Sequence, residues 1–395
     1  MKNILHGIRI LDFARYRAGP YAAMLLADMG ADVIRVERPG GEDDRLLGPY
    51  TADGQSMYTL FTCRNKKGIT LNLTSEKGKK MLKELVNRSD VVIESSGAGV
   101  NEKLGLDYES LKQMKPDIIV VAMSAYGQYG PYAHRLGVDS IAQAMSGIMW
   151  LTGFPDGPPI RAGVNIVDFS AGIYAALGTV LALYNRDKTG EGQLVDVSLL
   201  DTGLSFTEST IAEYKVLKEI RPQVGNANIF IAPYDTYKAK DGYVCLAVIS
   251  QYSWRKFLKV MDREELADDP RFQTYQTRVK NSHFFTEWLS DWMADKSADE
   301  VVSQFNEAGV PCARVNTIPE VAADTHIRER EMIVEFDHPE IGKVPLIGNP
   351  IKLSKTPAEI RTSAPALGEH NEEIYCGLLG LNQQELHQLK QEGTI

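Results

Sequence analysis

The feature that most constrains this chain is a strand, helix, strand succession within its first forty residues. Residues Ile8 to Asp12 form a short aliphatic run that ends in a loop. Gly19-Pro20 then opens a helical pattern carried by Tyr21, Met24, Leu25 and Ala27, which stops at Gly30, and a second apolar run follows from Val33 to Val36. Proline is accepted in the first turn of a helix and glycine ends one, so the punctuation brackets a helix between two strands. Two strands joined this way within about 30 residues form the βαβ unit of a parallel sheet. The pattern recurs. Ser75 to Arg88 reads as a helix with Met81, Leu82, Leu85 and Val86 on one face, Val91 to Ile93 as a strand, Tyr108 to Lys115 as a helix and Ile118 to Ala122 as a strand. After the polar turn Asp187 to Gly192, Gln193 to Val197 reads as a further strand. The expected fold class is therefore α/β, a doubly wound, Rossmann-like large domain.

The second half of the chain breaks this rhythm. Pro222 to Asn228 is rich in Gly, Pro and Asn and marks a boundary. Tyr234 to Ile249 reads as a hairpin turning at Asp241-Gly242, and the helices that follow carry Trp254, Phe257, Leu258, Phe284, Trp288 and Leu289, which suggests a smaller α+β domain. From Ala323 onward the chain is loop-rich, with Pro339, Pro345, Pro350 and Pro357, and ends in a polar helix, Asn382 to Lys390. The expected organisation is 1–200 for the first part of the large domain, 201–228 for a linker, 229–318 for the small domain, and 319–395 for a return linker and a C-terminal part packing on the large domain. A length of 395 residues suits two or three domains at about 150 residues each.

Lys+Arg 43 against Asp+Glu 52 leaves a net charge of −9, so no general attraction to nucleic acid or anionic lipid is expected. Phe169 to Tyr184 is the most apolar stretch. It is shorter than the roughly 18 residues a membrane span needs and contains Ser170, Gly172, Gly178 and Thr179, so it reads as a buried helix. Met1 to Asp12 turns polar too early for a signal-peptide core, and Cys63, Cys245, Cys312 and Cys376 lie far apart without a CxxC pair. A cytoplasmic location is the expectation.

In a doubly wound sheet, ligands bind at the carboxyl ends of the strands. The first such loop, Phe13 to Gly19, carries Arg15, Tyr16, Arg17 and Ala18, and offers a helix N-terminus and two planar cations to an anionic ligand. The second strand ends at Arg38, where such folds meet an adenosine ribose or its phosphate. The GxGxxG fingerprint of dinucleotide binders is absent. Asp168 precedes the apolar helix at the place of an N-cap, and Asp139 opens the helix Ile141 to Ser146 in the same manner. Judged alone, both read as caps. The functional reading of Asp168 is a partly desolvated carboxylate able to attack an acyl carbon. The seven histidines form no HxxxH or HExxH pair, which leaves a metal site without support, and nothing near Cys63 marks a nucleophile.

Taken together, several segments resemble a known family. They are Gly7 to Phe13 with Ala18-Gly19-Pro20, Gly30 to Gly40, Asn65 to Ile69 before Leu71 to Leu73, and Tyr126-Gly127-Gln128 with Gly130-Pro131-Tyr132. Gln143-Ala144 with Ser146-Gly147, Thr189 to Ser198, Gly309 to Ala313 and Leu367 to His370 continue the likeness. The chain resembles the class III CoA-transferases, the CaiB/BaiF family, over nearly its whole length. The resemblance implies a transferase that moves CoA from an acyl-CoA to a free carboxylic acid, with Asp168 matching the nucleophilic aspartate and Asp139 beside it. It also implies a homodimer of interlocked chains, coenzyme A thioester as substrate, and no permanently bound cofactor. Residues 1–200 then become the CoA-binding part, with Arg15, Tyr16, Arg17, Ala18 and Arg38 holding CoA and Lys67 and Lys103 in lesser roles.

Departures from the family pattern narrow the reading. Racemases of the same family place a histidine before the aspartate equivalent to Asp139, where this chain has Val138, which cannot exchange a proton. A 2-methylacyl-CoA racemase remains the alternative, with His134 as its only nearby base, and a nucleotide-binding protein whose Asp168 is merely a cap remains a third. Formyl-CoA transferases carry a polyglycine loop where this chain has Val224 to Asn228, which argues against oxalate and formate. Ser95 to Gly99 stands where many members have Asn-Phe-Arg-Pro-Gly, so one expected CoA-contacting arginine is missing.

Overall fold

The computed structural model describes residues 3–52, 54–97, 99–338 and 341–395. Pro339 and position 98 of the Ser95 to Gly99 segment lie outside the described residues. The chain divides into two compact units, one of residues 1–148, 161–211 and 325–395, the other of 149–160 and 212–324.

The first unit is built on six parallel strands, β1 (Arg9–Asp12), β2 (Asp32–Glu37), β3 (Lys66–Thr70), β4 (Val91–Glu94), β5 (Ile119–Ser124) and β6 (Leu194–Ser198), in the order β3-β2-β1-β4-β5-β6. The order reverses between β1 and β4, so the loops that leave those two strands flank a crevice at the sheet's carboxyl edge. Side chains alternate strictly between the faces. Ile10, Val33, Val91, Ile93, Ile119 and Val121 pack under the helices Ala18–Asp28 and Ile166–Thr189, whereas Leu11, Ile34, Val92 and Val120 pack under Glu76–Asn87, Tyr108–Met114 and the C-terminal Ile374, Tyr375, Leu386 and Leu389. A sheet buried on both faces needs apolar residues at both parities, which explains the unbroken aliphatic runs in the sequence. Each such side chain contributes about 1.5–3 kcal/mol relative to exposure.

Two glycines bring the site's elements together. A Cβ at Gly19 would fall 2.2 Å from the Ala14 Cβ, so only glycine lets the loop after β1 fold back into its helix. A Cβ at Gly172 would fall 2.7 Å from the Ala18 carbonyl oxygen. That contact is with backbone and cannot be relieved by a side-chain rotation, so Gly172 is what allows the helix Ile166–Thr189 to lie close against Ala18–Asp28.

The tail differs from its loop-rich expectation. It forms an antiparallel pair, β10 (Ile333–His338) and β11 (Gly342–Ile347), with Pro345 opposite Glu335. Each strand has one partner, so a proline without an N–H is tolerated there. The tail is fastened by buried Asp28, whose carboxylate accepts from Arg64 (2.8 and 3.1 Å), Asn65 (2.8 Å) and Asn349 (3.2 Å).

The second unit carries a three-stranded antiparallel sheet, β7 (Tyr234–Ala239), β8 (Gly242–Ala247) and β9 (Cys312–Arg314), over a core that includes Trp254, Phe257, Phe272, Phe285 and Phe305, all fully buried. It also takes in residues 149–160. Hydrogen bonds from Gln223 to the Thr152 carbonyl (3.0 Å) and from the Gly225 N–H to Gly153 (2.8 Å) tie those residues to the Gly/Pro/Asn-rich segment, a pairing no local pattern announces.

Candidate active site

The loop after β1 is pinned from below. Lys66 Nζ, fully buried, donates to Asp12 Oδ2 and to the Pro20 carbonyl, both at 2.8 Å, and Asp12 Oδ1 accepts from the Ala14 N–H at 3.0 Å. Removing either charge would leave the other buried and unpaired, at a cost of about 3–5 kcal/mol. From above, Ser95 Oγ at the end of β4 accepts from the Arg15 N–H at 2.8 Å and so joins the two loops of the crevice. Tyr16 is held at φ 60°, a left-handed conformation costing about 1 kcal/mol or more for a residue with a Cβ, and its carbonyl accepts from the Tyr58 hydroxyl. The Arg17 guanidinium lies over the Tyr58 ring, 4.9 Å from its centre.

The two aspartates meet at the starts of two helices, though not as caps of their own. Val138 is the N-cap of the helix Asp139–Ser146 and gives no side-chain hydrogen bond, which leaves the first-turn N–H groups of Asp139 and Ser140 without a capping side chain. Asp139, only 4% exposed, instead reaches the other helix: its Oδ1 accepts from the N–H groups of Val167 (2.9 Å) and Asp168 (3.1 Å). Its Oδ2 accepts from Gln143, and the Gln143 oxygen accepts from the Ala162 N–H at 2.9 Å. The carboxylate that caps the helix Ile166–Thr189 thus comes from Asp139, and the expectation that Asp168 caps it is corrected. Asp168 stands in the first turn of that helix and lines a cleft.

Among the described residues, the Asp168 carboxylate has one side-chain neighbour within hydrogen-bonding range, Asn165 at 3.4 Å. Turned the other way, the Asn165 amide oxygen accepts from Arg17 at 2.8 and 3.1 Å and the bond to Asp168 is given up, so this amide serves the cation or the carboxylate in turn. Burial pushes the Asp168 carboxyl up to about 6, and the negative charge of Asp139 adds to the rise, against smaller opposing effects from Asn165 and Arg17.

Asp168 opens on a cleft of about 490 Å3 lined also by Arg15, Tyr16, Arg17, Ala18, Ser95, Ser124, Gly137, Val138, Asp139, Ser140, Arg161 and Asn165. The structure therefore brings together six of the sequence-selected residues: Arg15, Tyr16, Arg17, Ala18, Asp139 and Asp168. Three others stand elsewhere. Arg38 lines a separate cavity of about 170 Å3 with Phe13, Leu73, Ser96 and Leu104, which shares Arg15 with the cleft, and its guanidinium bonds Asp43 and the Gly41 carbonyl. Lys67 pairs with Asp32 (3.0 Å) and Glu373 (2.9 Å) at the amino end of the sheet, the wrong end for a ligand contact, because its neighbour Lys66 is the one turned under the loop. Lys103 is exposed on the short helix Val100–Leu104 and lines neither cavity. Sequence reasoning missed Arg161, Asn165 and Gln143. Asn165, three residues before Asp168, offered a faint signal as a polar residue at a helix start, and Gln143 stood in a segment that carries the family likeness without a role attached; Arg161 offered none.

Among the described residues no histidine lines the cleft, and Val138 presents an apolar side chain there. His134 lies over Gly99, within 3.7 Å of where a Cβ there would be, and is exposed. Among the described residues, no group of three or more His, Cys, Asp or Glu side chains is arranged to hold a metal ion.

Comparison with known proteins gives a consistent result. Residues 5–371 match the sequence profile described as CoA-transferase family III. The chain is 36% identical over 393 residues to a succinyl-CoA–D-citramalate CoA-transferase of Chloroflexus aurantiacus, covering 99% of this chain and 98% of that one. It is 36% identical over 409 residues to a formyl-CoA:oxalate CoA-transferase of Streptomyces coelicolor, covering 99% of each. Among solved structures, a CaiB/BaiF family protein from Brucella suis superposes with a TM-score of 0.85 at 34% identity, covering 96% of this chain and all of that one.

Proposed function

The chain belongs to CoA-transferase family III, and from that premise we propose that it moves CoA from an acyl-CoA thioester to a free carboxylic acid through covalent work by Asp168. The observation that carries this reading is the unequal use of the two aspartates. The Asp139 carboxylate is consumed by three hydrogen bonds, whereas that of Asp168 is nearly unpartnered at the wall of the cleft. A poorly solvated carboxylate, ionised above about pH 6, is a competent nucleophile toward a thioester carbonyl.

In this reading, an Asp168 oxygen attacks the donor carbonyl, the C–S bond breaks and CoA leaves as thiolate, giving an acyl-aspartyl anhydride. The thiolate then attacks the Asp168 carbonyl carbon and releases the donor acid, leaving an aspartyl-CoA thioester. The acceptor carboxylate repeats the sequence in reverse: it attacks that thioester, expels thiolate, and the thiolate takes the acceptor acyl group and frees Asp168. One thioester replaces another, so neither energy source nor redox partner enters the balance. The uncapped first-turn N–H groups of Asp139 and Ser140 are suitable donors to the tetrahedral oxyanions. Arg15, in both cavities, suits the CoA moiety, with Arg38 beside it.

Residues Ile173, Tyr174, Leu177, Val180, Leu181 and Tyr184 form an exposed apolar stripe on the helix Ile166–Thr189, which is long and apolar enough to cross a membrane. We take this stripe to be covered by a second copy of the chain, as the family resemblance implies, and the enzyme to work in the cytoplasm. The donor and acceptor acids are kept general. The racemase alternative loses ground because, among the described residues, no histidine lines the cleft and Asp139, the other carboxylate there, has both oxygens taken by hydrogen bonds.

The test is to incubate the enzyme with acyl-CoA and hydroxylamine and to map the product by mass spectrometry. Conversion of Asp168 to its hydroxamate is expected, and an unmodified Asp168 in an enzyme that turns over would sink the mechanism. Fast α-proton exchange of a 2-methylacyl-CoA in deuterated water, without acceptor acid, would restore the racemase reading.

A further inference from the structure

Three guanidinium groups line the cleft, and they are not equivalent. Arg15 is paired with Glu42 at 3.0 Å and shared with the neighbouring cavity, so it belongs to the CoA side. Arg17 stacks on Tyr58 and bonds Asn165, with no carboxylate partner among the described residues. Arg161 is exposed and donates to the adjacent Ala162 carbonyl at 3.1 Å, and among the described residues it likewise has no carboxylate partner. Its position is nevertheless set. The Ala162 N–H is held by buried Gln143, Gln143 by Asp139, and Asp139 receives the Asp168 N–H, so an unbroken hydrogen-bonded chain ties the Arg161 backbone to the nucleophile's helix start.

Resting on the function proposed above, we infer that the acids exchanged are dicarboxylates and that Arg161 binds the carboxylate that does not react. Charge balance favours this at both stages. While the donor reacts, ionised Asp168 and the free carboxylate of a dicarboxylic acyl group face two cations, Arg17 and Arg161. Once Asp168 is held as a thioester it is neutral, and a dianionic acceptor restores the same balance. A monocarboxylate leaves one guanidinium without an anion in a partly desolvated cleft, where such a charge-assisted pair is strongest.

Succinate and butyrate have the same carbon count and differ in one carboxylate, so they probe this directly. Binding of each acid to the full-length enzyme, measured by NMR titration, is expected to favour succinate by roughly tenfold or more, a preference that Arg161→Gln removes and Arg161→Lys keeps in part. The ratio of kcat/KM for the two acceptors with one donor should fall in parallel. Thermal melting of the Arg161→Gln variant should match the wild type, since the side chain is exposed. Equal binding of the two acids by the wild type, or an unchanged preference in Arg161→Gln, overturns the inference. An Arg161-dependent preference in an enzyme that forms no Asp168 hydroxamate upholds it while the nucleophile assignment falls.

Discussion

The starts of the helices Asp139–Ser146 and Ile166–Thr189 make an instructive pair. Each places an aspartate in its first turn, and the sequence around each reads as a helix beginning with a cap. Yet Asp139 is buried with both oxygens occupied, while Asp168 is half-open, weakly partnered, and shifted by burial and by Asp139 itself. One carboxylate stabilises the fold and the other is held at a cost. The difference teaches that residue type and local position do not separate an aspartate spent on hydrogen bonds from one left open to a cleft. What separates them is which helix each carboxylate serves.

The contrast breaks most sharply at Asp168. Asp168→Asn should lose transferase activity by about three orders of magnitude or more, because an amide cannot form the anhydride. It should also fold more stably at neutral pH. The native carboxyl titrates at about 6 against 3.8 in the unfolded chain, so the ionised form disfavours the fold fully above pH 6 and not at all below about pH 4. Denaturant unfolding at pH 8 should therefore show a gain of about 1–2 kcal/mol, once screening in the open cleft is allowed for, and the gain should vanish near pH 4. A loss of stability at pH 8 would mean that Asp168 carries structural weight after all.

Asp139 is the opposite test. Asp139→Ala removes the cap of the neighbouring helix and strands Gln143, so unfolding should be easier by about 2–4 kcal/mol. Asp139→Asn keeps an oxygen for the Val167 and Asp168 N–H groups and should cost less. It should also move the acid limb of kcat/KM, expected near pH 6 in the wild type, to lower pH, because the negative charge beside Asp168 is gone. An acid limb that stays in place would show that Asp139 does not act on Asp168 through its charge.

Much of the large unit is legible in the sequence because its signals are local. The strand, helix, strand rhythm, the Gly19-Pro20 punctuation and the aliphatic runs at both parities are all properties of short windows, and β1, β2, β4, β5 and β6 lie within two residues of where those windows place them. The tail was harder to read, since β10 and β11 contain or border prolines and their return to the sheet depends on Asp28, more than three hundred residues away from Asn349. The site was half legible. Asp168 and Asp139 could be picked as residues, but the crossing of the Asp139 carboxylate to the second helix joins residues 28 and 29 positions apart, which no spacing rule encodes. Arg161 had no motif, and only a cleft shared with Asp168 distinguishes it from a solvated arginine.

The smallest effects are expected outside the cleft, where they sharpen the distinction between residues near the site in sequence and residues in it. Arg38→Ala should weaken binding of CoA esters by about 0.5–1 kcal/mol in calorimetric titration, below the 1.5–3 kcal/mol typical of a buried charge-assisted contact, since this guanidinium is half exposed and any phosphate must compete with Asp43. The loss should be the same for every acyl group. Lys67→Met should leave CoA affinity unchanged and alter stability by less than about 1 kcal/mol, because its partners Asp32 and Glu373 lie at the amino end of the sheet and the pairs are partly exposed. Met at Lys66 should instead disturb CoA binding and unfold the protein easily, by leaving Asp12 as a buried unpaired charge beneath the loop. Two adjacent lysines on one strand point to opposite faces, so a one-residue error in choosing between them exchanges an effect on the site for none. A Lys67→Met variant that lost CoA affinity would mean that the ligand reaches the far end of the sheet.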